Sequence, residues 1–186
     1  MKIYEVAYDI SIPVKNGKPV ANPLTVFNEV YSRLRPVAYR RQGSIWYFTV
    51  DKLAFVQQAM DEAAKDLHEK FGATIDSLIY QIDNSEVEKI KSLIFNNSCK
   101  AAHDLLIKLV EKIKDLSSKV ETLDKETTLK IKQKIYSTGR EFNYIQDVFL
   151  LFELDSQPLK SVLQLFERTK KNFSAWKEIE TELGIQ

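Results

Sequence analysis

The sequence predicts an α+β protein. A ferredoxin-like β-α-β-α-β domain occupies residues 1–83, and an all-α helical bundle occupies 84–186. Three observations carry this. Every β-branched, strand-like segment lies before residue 84. Four of the five prolines (Pro13, Pro19, Pro23 and Pro36) also lie there, against Pro158 alone beyond. The remainder repeats apolar residues at three-and-four spacing, the period of an amphipathic helix. The length of 186 residues suits one domain or two small ones. Only five glycines and five prolines argue against a turn-rich all-β sandwich or barrel.

The elements follow in order. Residues 2–10 are β-branched and aromatic without a turn residue, and read as a buried strand with a carboxylate, Asp9, near its end. Pro13, Asn16-Gly17 and Pro19 mark a loop or short hairpin. Asn22-Pro23 supplies an N-cap and a proline at the first helical position. Leu24, Phe27, Val30, Tyr31 and Leu34 line that helix, and Pro36 stops it. Tyr39 to Val50 reads as a second strand, interrupted at Gln42-Gly43-Ser44. Asp51 caps a second helix with Leu53, Val56, Met60, Ala64, Leu67 and Phe71 on one face, and Gly72 ends it. Residues 74–83 form a third strand. The first loop has no glycine-rich phosphate pattern, so a small sheet with both helices on one face is expected rather than a doubly wound one.

In the second half, Ser85-Glu86-Val87-Glu88 matches a capping box. Asn96-Asn97-Ser98 reads as a break. Ala102 to Leu123 then continues as helix, followed by a helix over about 125–153 weakened at Gly139 and one beginning at Ser156-Gln157-Pro158. The last carries Leu159, Leu163, Phe166, Phe173, Trp176, Ile179 and Leu183. Stripes of this kind need a partner surface, which a small bundle provides.

Charge and composition exclude several classes. The formal net charge is only +1, so nucleic acid is not bound by bulk charge and any such binding is local. A single cysteine, Cys99, makes no intramolecular disulfide, and with two histidines the chain cannot build a Cys/His zinc site. No apolar run reaches the roughly 18 residues of a membrane span. A cytoplasmic protein is the expectation, with no membrane partner.

Chemistry concentrates around residues 39–47. Four of the six arginines fall within nine positions: Arg33, Arg35, Arg40 and Arg41. The guanidinium fork suits phosphate, and Tyr39, Trp46 and Tyr47 can stack unpaired bases. Gly43 allows close backbone approach, with Gln42 and the Ser44 hydroxyl beside it. The plain alternative is a solvated arginine face beside ordinary sheet aromatics. Asp9, at a strand end, can hold a divalent cation or act as a general base; the alternative is a carboxylate capping the next loop. Of Asp76 and Asp83, at most one faces the Asp9 side directly. His68 reads as a surface residue, and His103, early on a bundle helix, as a capping or partly buried residue rather than a catalytic one.

Three segments resemble the virulence-associated protein D (VapD) family and, more distantly, the small sheet protein of CRISPR spacer integration. They are Val6-Ala7-Tyr8-Asp9-Ile10, Arg41-Gln42-Gly43-Ser44-Ile45-Trp46 and Asp76-Ser77-Leu78-Ile79-Tyr80-Gln81-Ile82-Asp83. The resemblance covers residues 1–83. It implies a ferredoxin-like fold, dimers and toxin-type endoribonuclease activity. It also implies functional roles for Asp9 and Ser44, with single-stranded RNA as substrate and a homodimer or higher oligomer. No cofactor is required beyond an optional divalent cation such as Mg at Asp9. Residues 11–22 are longer and richer in proline than the family loop, and about a hundred helical residues replace its short C-terminus. The helical half is expected to associate with another copy or a partner protein. A non-enzymatic adaptor that keeps only the fold is the other reading.

Overall fold

The computed structural model describes residues 1–118 and 125–171. Val120, Leu123, Phe173, Trp176, Ile179 and Leu183 lie outside them. The chain divides into two compact units, Met1–Ile94 and Phe95–Gln186. The division falls at Ile94, where the sequence expectation put it at Asp83.

In the first unit, β1 (Ile3–Ser11) is followed by a small ribbon of β2 (Val14–Lys15) and β3 (Lys18–Pro19). Helix α1 (Pro23–Leu34) then leads to β4 (Tyr39–Gln42) and β5 (Ile45–Thr49). A short 3-10 turn precedes α2 (Leu53–Phe71), and β6 (Thr74–Gln81) completes a four-stranded sheet. Its order is β4-β5-β1-β6, antiparallel throughout. The single interrupted strand expected over 39–50 is instead a hairpin. Gln42 pairs with Ile45, leaving Gly43-Ser44 as a two-residue turn. Gly43 has φ +50 there, a conformation that costs other residues about 1–2 kcal/mol.

Local chemistry explains the helix ends. Leu24 N donates to the Asn22 side chain at 2.9 Å, with Pro23 at the first helical position. Gly72, at φ +64, closes α2 in the left-handed region. Asp51 does not cap α2. It sits within the 3-10 turn and accepts the Thr49 hydroxyl, and α2 starts two residues later without a side-chain cap. The buried face of α1 is Val26, Val30 and Leu34; Leu24 is 64% exposed. On α2 it is Val56, Met60, Ala63 and Leu67, so Ala63 rather than Ala64 faces inward. These residues pack with Val6, Tyr8, Trp46 and Phe48, which puts both helices on one face of the sheet.

Helix α3 (Val87–Ser118) begins in the first unit and runs without interruption. The expected break at Asn96-Asn97-Ser98 is absent, because two exposed asparagines cost a few tenths of a kcal/mol each while Ile94, Ala102, Leu106 and Leu109 are fully buried. The cap is also not the expected Ser85 box. Asp83 accepts hydrogen bonds from the Ser85 amide and hydroxyl. In the second unit, α4 (Lys125–Leu151) and α5 (Gln157–Lys171) contribute Ile131, Phe142, Phe149, Leu159 and Phe166 to a core shared with α3. Gly139 does not break α4. A Cβ there would meet the Phe166 ring at 3.3 Å, so its bareness admits that ring.

Candidate functional site

The two faces of the sheet differ. Val6, Tyr8, Trp46 and Phe48 belong to the core under the helices, so Glu5, Ala7, Asp9, Ile45, Tyr47, Asp76, Leu78 and Tyr80 alternate onto the other face. That open face carries two polar rows. Glu5 pairs with both Tyr47 and Tyr80, and Asp9 pairs with Asp76. Between them lie Ala7, Ile45 and Leu78, the last 63% exposed.

The Asp9 row stands at the end of β1 beside the Gly43-Ser44 turn, where Tyr8 N donates to Ser44 O at 3.2 Å. Asp9 is exposed and accepts the Ile10 amide at 2.9 Å. Of the two candidate acids, Asp76 is the one in register with it. Opposed like charges on a sheet destabilise it, and a cation between them removes that penalty. Among the described residues, no group of three or more His, Cys, Asp and Glu is placed to hold a metal ion.

The arginines do not form one cluster. Arg33 pairs with Glu29 on its own helix and with Asp66 on α2, fastening the two helices together. Arg35 and Arg40 lie over the Tyr31 ring, and Arg40 also lies 4.6 Å from the Phe27 ring centre. Arg40 Nε donates to Gly43 O at 2.9 Å, so this guanidinium braces the turn from the helix side. A bulge between Arg40 and Gln42 lets Arg41 reach the open face instead, where it donates to the Tyr47 hydroxyl at 2.9 Å. Tyr39 and Trp46 are buried and unavailable for stacking on a base; Gln42, at the end of β4, and Gly43, in the turn, are exposed. Arg40 therefore braces the Gly43-Ser44 turn from the helix side, over the Tyr31 ring it shares with Arg35, while Asp9 alternates onto the other face of β1 and Arg33 and Arg41 serve elsewhere.

Behind Ser44, the Tyr8 hydroxyl and Trp46 Nε1 are buried without a well-formed hydrogen bond. Burial pushes the Tyr8 hydroxyl pKa up, against smaller opposing effects of Trp46, Arg40 and Ser44.

Sequence reasoning missed Glu5. It is only 6% exposed, and the Tyr80 hydroxyl donates to its carboxylate. That bond, ahead of burial, pushes the Tyr80 hydroxyl up to about 12. Tyr47 is raised as well, by burial first and the Glu5 charge second. A charged residue inside an otherwise apolar strand was the available signal, because such a group is costly to bury without partners.

No family model matches the chain, and neither curated proteins nor solved structures include a match to it. Among the described residues, no helix is long and apolar enough to cross a membrane.

The Tyr80 shift gives a signed pH dependence. A hydroxyl raised from about 10 in the unfolded chain to about 12 in the fold contributes stability that is complete below pH ~10 and is lost as pH rises toward 12. Ultraviolet titration of the tyrosinates is expected to show a late step that Tyr80→Phe removes and Glu5→Gln moves down toward pH ~10. An unchanged late step in Glu5→Gln contradicts the coupling.

Proposed function

We propose that the first unit is a ferredoxin-like, VapD-like domain acting on single-stranded RNA as an endoribonuclease, or as a binding relative of one. The fold part is supported by the β-α-β-β-α-β order and the β4-β5-β1-β6 sheet with both helices on one face. The observation that carries the activity is the 3.2 Å backbone bond from Tyr8 to Ser44. It brings the end of β1 that carries Asp9 beside the Ser44 turn, which Arg40 braces from the helix side.

In this reading Asp9 takes the proton of a ribose 2′-hydroxyl; a divalent cation such as Mg, if held at Asp9, would supply positive charge that makes that hydroxyl more acidic. The 2′-oxygen bonds to phosphorus, the bond to the 5′-oxygen breaks, and that oxygen leaves with a proton from water. Ser44, at the turn beside this end of β1, holds the phosphate as charge develops, with the Arg40 charge behind the turn.

A second reading, association without catalysis, is favoured by α4. Leu129, Tyr136 and Leu150 are 55%, 72% and 78% exposed, and they fall at multiples of seven positions on one helical face. The second unit would then join another copy of the chain.

Labelled single-stranded RNA, incubated with Mg or with chelator, tests the first reading. Asp9→Asn is expected to lose cleavage by about 100-fold or more, the range of a general base, while still binding. Equal cleavage by the variant rules out Asp9 as the base. For the second reading, light scattering on Leu129→Lys/Tyr136→Lys is expected to report a smaller species than the wild type. An unchanged mass shows that this stripe joins no copies.

A further inference from the structure

A cleft of about 300 Å³ opens on the sheet face away from the helices, entirely within the first unit, where the first turns of α3 approach β1, β5 and β6. Its volume is at the low end for small-ligand pockets. Glu5, Arg41, Tyr47, Tyr80 and Lys89 line it. Nothing in the Asp9 chemistry uses these residues. They lie four positions away along β1, roughly 13 Å at ~3.3 Å per residue.

The cleft is unusually well organised. Glu5 is 6% exposed and held by the Tyr80 hydroxyl. Tyr47 is 2% exposed, and its hydroxyl accepts Arg41 Nη1 at 2.9 Å. Arg41 itself is exposed, and one nitrogen of its fork is used by Tyr47. Tyr80 is 41% exposed, so its ring forms a flat wall fixed by its own hydroxyl bond. Lys89 stands at the rim, paired with Glu86 at 3.0 Å.

We infer that this cleft binds a guanine base of an RNA strand, with Glu5 and Arg41 reading its edges and Tyr80 stacking on its face. A buried carboxylate offers only acceptors, and an arginine fork only donors. Guanine is the base that matches both. Its N1–H and N2 amino group donate to a carboxylate, and its O6 and N7 accept from a guanidinium. Adenine sets a bare N1 lone pair against the carboxylate and an amino group against the guanidinium. Uracil and cytosine lack the second ring that spans the two groups. The carboxylate is already fixed by Tyr80, so little ordering remains to be done on binding. Ala7, Ile45 and Leu78 give an apolar shelf from the cleft toward Asp9. The inference rests on the RNA reading above for the source of the base, and on the cleft alone for its binding.

Calorimetric titration of the full-length protein with guanosine, adenosine and uridine 5′-monophosphates, and with short G-containing or A-only oligoribonucleotides, tests it. The guanine nucleotide is expected to bind at least about tenfold tighter than the adenine one, as a bidentate pair allows. The G-containing oligonucleotide is expected to bind tighter still, because the shelf adds contacts that a free nucleotide lacks. Glu5→Gln and Arg41→Ala should each erase most of the preference; the second removes an exposed side chain and keeps the fold if the first does not. Asp9→Asn should keep the full guanine preference. If it does while no RNA is cleaved by the wild type, the nuclease reading fails and the cleft stands. Equal affinity for the guanine and adenine nucleotides, or a preference that survives both Glu5→Gln and Arg41→Ala, overturns the inference.

Discussion

Strand β1 is bonded on both sides, to β5 across Ile3–Ala7 and to β6 across Tyr4–Ser11. Its register is therefore held twice. Because successive side chains alternate, a slip of one residue would push Glu5 and Asp9 into the helix-covered core and Val6 and Tyr8 into water. Val6 is fully buried and contributes roughly 1.5–3 kcal/mol on burial, so such a slip is strongly penalised. Everything polar on the open face takes its place from this constraint.

Two rows of chemistry follow from that register. At one end, Asp9 and Asp76 oppose each other beside a turn whose backbone is tied to Tyr8. At the other, Glu5 accepts the Tyr80 hydroxyl beside Tyr47 and its Arg41 guanidinium. The first row keeps a repulsion that a purely structural sheet has no reason to keep. The second buries a charge inside a prepared set of partners. Features of both kinds cost stability, and natural sheets carry such costs at working surfaces. In the proposed reading, a strand of RNA laid along β1 would meet both rows, with the apolar shelf between them.

Much of the fold was legible because its signals are local. Asn22-Pro23 announced α1 and Gly72 ended α2, each through a backbone requirement that few residue types meet. The 39–49 hairpin was not read as two strands, although Gly43-Ser44 between β-rich runs is a two-residue turn signal. The one interrupted strand expected over 39–50 is two strands, β4 and β5, in the four-stranded sheet. Asn96-Asn97 misled in the opposite direction, since weak helix formers are overridden when their neighbours are buried. The site was legible only in part. The end of β1 lies beside the Ser44 turn because adjacent antiparallel strands bring a strand end beside a hairpin turn. The arginines, close in sequence, separated in space. One lies on α1 against Asp66, and two successive ones turn to opposite faces at a bulge. Glu5 stayed invisible because its partners, Tyr47 and Tyr80, come from strands more than forty and seventy residues away.

The central claim is that the open face of the sheet is the surface that meets RNA. Methyl-resolved nuclear magnetic resonance on the Asp9→Asn protein, titrated with a short single-stranded oligoribonucleotide, tests this most directly. The account predicts that the methyl signals of Ala7, Ile45 and Leu78 move together, while those of Val26, Val30 and Leu34 on the buried face of α1 stay in place. Unmoved Leu78 and Ile45 signals, with changes confined to α1 and α2 or to the Leu129 and Leu150 methyls of the second unit, would contradict it.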